Sequence, residues 1–123
     1  MNGYKVTIAE TSREFTKKEL IAMKDTSDAQ RLDDLTASGA VIISPEAYAV
    51  LNVHNEKSAN KDYEVYLVID TTGQKYVTGS AAFFTTFRDI FADMEGEPFD
   101  LKIYRKPSKN YTGKEFITCS VVL

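Results

Sequence analysis

A single cysteine, Cys119, is too few for an internal disulfide, so the chain must be held together by an apolar core and suits a reducing cytoplasm. The one histidine, His54, excludes the histidine clusters that build zinc or proton-relay sites. No apolar run approaches the ~20 residues of a membrane span. The opening MNGYKVTIAE carries neither the apolar block nor the cleavage site of a signal peptide. A cytoplasmic protein with no membrane association is therefore expected. Repeats, low-complexity tracts and flexible linkers are absent too, and 123 residues suffice for one domain with a core of its own.

Catalytic signals are equally scarce. The segments TTGQ and TGS lack the spacing of a phosphate-binding loop. Cys119 and His54 have no evident third group to orient them as a nucleophile pair. Asp89 and Asp93 lie four apart on a helical stretch and read as a solvated acidic face rather than a metal site. Neither enzymatic activity nor a metal or other cofactor is expected.

What the chain does have is segregated charge. The net charge of -3 is not that of a generally basic nucleic-acid coat. Yet Lys102, Arg105, Lys106, Lys109 and Lys114 fall close together, with no acidic residue until Glu115, while Asp89, Asp93, Glu95, Glu97 and Asp100 make the preceding segment acidic. Tyr104, Tyr111 and Phe116 are interleaved among the cations, and Pro107, Asn110 and Gly113 mark a turn. Cations that can follow a phosphate backbone, beside rings on which bases can stack, are the two requirements of single-strand nucleic-acid binding.

The apolar periodicity gives the elements. A short strand is expected at Tyr4–Ile8, a helix after Thr11-Ser12, a polar segment from Asp25 to Gly39 with Leu32 and Leu35 as anchors, and a brief strand at Val41–Ile43. Ala49, Leu51 and Val53 alternate with Tyr48, Asn52 and His54, predicting a strand with an apolar core face and an outward polar-aromatic face. Tyr63 to Ile69 and Lys75 to Val77 continue as strands. Ser80 then caps a helix whose Phe83, Phe87, Ile90, Phe91 and Met94 form one stripe. Strands around 99–104 and 116–123 complete the chain.

From residue 46 onward the order strand, strand, strand, helix, strand, strand is that of a five-stranded Greek-key OB-fold barrel with its helix between strands three and four. The fold class expected is thus mainly β (α+β), with 46–123 forming the OB-fold and 1–45 a strand-and-helix extension packed on the barrel, all one structural domain. In that fold the loops after strand one and between strands four and five flank the binding face. Here those loops carry Lys57 and Lys61, and Lys106, Lys109 and Lys114.

The runs VLNVHNEKSANKDYEVYLVID, KYVTGSAAFFTTFRDIF and IYRKPSKNYTGKEFITCSV resemble small single-stranded DNA-binding proteins of phages and mobile elements of Gram-positive bacteria. The likeness spans roughly residues 41–123. It implies an OB-fold that coats single strands during replication or recombination, with a binding role for the Lys102–Phe116 hairpin and for the face of the 48–54 strand. Bacterial proteins of this kind usually end in a linker and an acidic recruiting tail. This chain stops at Val121-Val122-Leu123, so recruitment of replication proteins by such a tail is not expected.

The expected ligand is single-stranded DNA, with RNA as a variant and self-association along the strand a possible addition. The candidate contacts are Tyr48, His54, Lys57, Lys61, Tyr66, Lys102, Tyr104, Arg105, Lys106, Lys109, Tyr111, Lys114 and Phe116. The alternative is a protein-interaction module that docks an acidic partner on the basic 102–114 hairpin.

Overall fold

The computed structural model describes residues 4–109 and 112–123. Eight strands and three helices follow in the order β1 (Tyr4–Thr11), α1 (Lys17–Lys24), β2 (Gln30–Arg31), α2 (Leu32–Leu35), β3 (Val41–Ile43), β4 (Pro45–Asn55), β5 (Asp62–Asp70), β6 (Lys75–Thr78), α3 (Ala81–Asp93), β7 (Leu101–Pro107) and β8 (Glu115–Val121). They form a five-stranded sheet ordered β1-β4-β5-β6-β2 and a three-stranded sheet ordered β3-β7-β8. The protein is mainly β with helices packed on the sheets, as the periodicity predicts. No described helix is long and apolar enough to cross a membrane.

One run of chain serves both sheets. β3 pairs antiparallel with β7, and after Ser44 alone the chain re-enters as β4, the neighbour of β1 and β5. The bend falls at Pro45, where the register also shifts, and a residue without an N–H costs no ladder bond at such a point. Among the described residues no ladder joins β6 to β8, so the sheets do not close into a barrel. On that side β6 pairs in parallel with the short β2, and α2 packs beside both.

Two apolar clusters flank the large sheet. Between the sheets, Phe83, Phe84 and Phe87 of α3 pack with Val50, Tyr66, Val68, Leu101 and Ile103. On the other side, Met23 packs with Ala49, Leu51 and Leu67, joined by Phe15 and Leu20. The expectation that only the Ala49, Leu51 and Val53 side of this strand is core is corrected here. The centre of β4 is covered on both faces, which is why Ala47 to Leu51 has no exposed residue.

The first helix begins later than expected. Thr16, not Thr11-Ser12, is its cap, in a reciprocal box with Glu19: each backbone N–H donates to the other's side chain. Ser12 instead accepts from the Tyr48 backbone N–H at 2.8 Å. The far end of α1 is held by Lys75. Its Nζ donates to the carbonyls of Ala22 (2.9 Å) and Asp25 (2.7 Å) and pairs with Asp28 at 2.8 Å. A cation on the last carbonyls of a helix also opposes the negative end of its dipole.

Candidate nucleic-acid interface

The small sheet has one buried and one outward face. Leu101, Ile103, Ile117 and Cys119 point inward, and α3 lies along β8. Outward, the register sets Ile42, Lys102 and Ser120 in one row, Tyr104 and Thr118 in the next, and Lys106 and Phe116 in the third. Beyond them Ser108 donates to the Lys114 carbonyl at 2.8 Å, and Gly113 takes the positive φ of 79° that the return turn requires. Lys102, Lys106, Lys109 and Lys114 are exposed and make no ion pair among the described residues. The Lys102 ammonium lies 5.5 Å from the centre of the half-buried Tyr104 ring. Phe116 is 37% exposed, beside Lys106. Tyr111 lies outside the described residues.

Arg105 does not belong to this set. The alternation that turns Leu101 and Ile103 inward turns Arg105 inward as well, a signal its charge conceals. Its Nε donates to Thr36 Oγ1 at 3.1 Å and one terminal nitrogen to the Asp33 carbonyl, while Glu115 stands 4.0 Å away. The guanidinium ties β7 to α2, so the group expected to contact phosphate is already engaged within the fold.

Tyr48 and Tyr66 are likewise corrected. Tyr48 meets Phe84, Phe87 and Phe91 edge-on at 5.3 to 5.8 Å and donates to Glu10 at 3.0 Å. Tyr66 stacks on Phe84 at 4.4 Å and donates to Glu64 at 3.1 Å. Burial pushes both phenols above their ordinary pKa. Each ring is already packed in the core beneath α3 and has no face to offer a base.

In the loop between β4 and β5, all but one of the cationic side chains stand beside carboxylates. His54 Nδ1 lies 2.7 Å from Asp62 and Nε2 lies 3.4 Å from Glu56, while Lys61 pairs with Glu56 at 3.5 Å. The hydrogen bond to Asp62 raises the His54 pKa above 6.5. Lys57 is exposed and makes no ion pair among the described residues. No hydrogen bond or ion pair among the described residues joins this loop to the β7–β8 hairpin.

A feature the alternation did not reveal lies on the other face of the large sheet. α1 has only eight residues, about 12 Å of helix, against about 30 Å for the nine-residue β5. The uncovered end forms a hollow of about 450 Å³. Its floor is Val6, Leu51, Val53 and Val65, with the rings of Tyr4 and Tyr63 beside them. Arg31, Asp33 and Thr78 lie along the side nearest β2 and β6.

Burial pushes the Cys119 thiol up to about 12, far from a reactive thiolate at neutral pH. Among the described residues no three His, Cys, Asp or Glu side chains are grouped to hold a metal ion. No family model, curated protein or solved structure matches this chain.

Proposed function

We propose that this chain binds single-stranded DNA without sequence preference, as a coating protein of replication or recombination in a phage or plasmid. The observation that carries the proposal is the outward face of β7–β8. Four exposed lysines without ion-pair partners among the described residues surround Tyr104 and Phe116. Lysines not committed to carboxylates release counterions from a phosphate chain, and exposed rings stack on any base.

The OB-fold reading belongs to this proposal. It is supported by the order β4-β5-β6-α3-β7-β8 and by the near-continuous β3–β4 run that serves both sheets. On that reading β5 and β6 are strands two and three, whose open face receives the nucleic acid. The Tyr4 and Tyr63 hollow lies on that face, with Arg31 at its edge, and would take bases adjacent to the lysine-bound stretch. RNA fits the same chemistry, since backbone charge and base faces are common to both polymers.

The test is a fluorescence-anisotropy titration of labelled oligo-dT about thirty nucleotides long, with duplex as competitor. With about four phosphates neutralised, log K is expected to fall against log salt with a slope near -3, and duplex is expected to compete poorly. Absence of binding at low salt overturns the proposal.

One observation favours the docking of an acidic protein instead. Ile42, 61% exposed, sits in the row of Lys102, an apolar spot among cations such as protein contacts use. Removing the Tyr104 ring face separates the two readings, because charge-driven docking does not depend on stacking.

A further inference from the structure

The basic hairpin and the apolar hollow belong to different sheets, yet a short polar chain connects them. Arg105 of β7 donates to the Asp33 carbonyl and to Thr36 Oγ1. Asp33 in turn accepts from Thr78 Oγ1 of β6 at 2.7 Å. Asp33 and Thr78 both line the hollow. Thr36 and Thr78 are buried, while Asp33 and Arg105 are partly exposed, so the chain runs along a half-buried seam where water competes with such bonds only in part. It also crosses the side where, among the described residues, no strand ladder links the two sheets.

Resting on the binding proposal above, we infer that Arg105 is a positioning residue that fixes the hairpin relative to the hollow, so that one single strand engages both. Two contacts on a rigid body act as one bivalent site, because the first converts the second into an intramolecular step. If the body flexes between them, that advantage shrinks although neither contact is altered. Arg is suited to the role. Its planar fork reaches a hydroxyl and a carbonyl together, whereas a lysine offers one compact ammonium.

The experiment compares oligo-dT of about five nucleotides, long enough for one contact only, with oligo-dT of about fifteen, long enough for both. Arg105→Met is expected to weaken binding of the longer oligonucleotide about tenfold and that of the shorter less than about twofold. Arg105→Lys keeps the positive charge and is expected to behave like Arg105→Met, since it cannot make the fork. Should Arg105→Met not fold, Arg105→Lys supplies the same comparison, with the melting midpoint recorded for each variant.

An equal loss for both lengths overturns the inference, because a direct phosphate contact or general destabilisation acts on each alike. Wild-type affinity of Arg105→Lys for the longer oligonucleotide overturns it as well, since charge alone would then suffice. Failure of the unaltered protein to bind either length overturns the binding proposal itself, and the coupling with it.

Discussion

Two lysine-bearing loops invite the same reading and differ in what surrounds them. Between β4 and β5, Lys61 is paired with Glu56, and His54 stands between Glu56 and Asp62. Between β7 and β8, Lys106, Lys109 and Lys114 have no carboxylate partner among the described residues, because Glu115 faces Arg105. A lysine already beside a carboxylate releases no net counterion when it turns to a phosphate. The capacity to bind a polyanion therefore follows unneutralised charge rather than the number of lysines.

The largest expected effect breaks this comparison directly. Changing Lys106, Lys109 and Lys114 together to Gln should remove about 0.7 from the salt slope per lost phosphate contact, leaving it near -1. Affinity for oligo-dT at about 0.1 M salt should fall by roughly two orders of magnitude. The matching change of Lys57 and Lys61 to Gln should cost no more than about fivefold, the share of the one unpaired lysine, as Lys61 is already paired. Equal losses from the two sets, read by anisotropy at several salt concentrations, would show the loops to be equivalent and the comparison mistaken.

A smaller effect is expected from the tyrosines, which differ in the same way. Tyr104→Leu keeps bulk and charge but removes a stacking face, so it should weaken oligo-dT binding by about 1–3 kcal/mol. Tyr48→Phe should leave binding unchanged and cost roughly 0.5–1.5 kcal/mol of stability through loss of the hydroxyl bond to Glu10. Urea denaturation alongside the titration distinguishes the two. Unchanged binding in Tyr104→Leu would take this ring out of the ligand's path and overturn the stacking half of the proposal.

These residues also show how far sequence reasoning reaches. The strands other than the two-residue β2, the Ser80 cap and the phenylalanine stripe of α3 were legible because alternation and helical period are local properties. Tyr48 and Tyr66 were misplaced because alternation says that two faces differ, not that one is exposed. Which elements cover a face depends on contacts between distant segments, here α3 on one side of the sheet and α1 on the other. Arg105 was misread for a related reason, since a cation beside other cations looks like part of a patch until its α2 partners are known. The hollow became visible only when the length of α1 could be set against that of the strands it covers.

The smallest effect concerns His54, and it is one of stability and not of binding. Its hydrogen bond with Asp62, aided by Glu56, raises its pKa in the folded chain above the ordinary 6.5. The protonated form is thus favoured by folding. That contribution is fully present below about pH 6.5 and is lost as pH rises through the higher folded value. The thermal midpoint should decline slightly across that window, and His54→Gln should remove the decline. Oligo-dT affinity should stay level over the same range, because no hydrogen bond or ion pair among the described residues joins the His54 loop to the hairpin. A fall in affinity that follows the titration of His54, and disappears in His54→Gln, would place the β4–β5 loop on the ligand after all.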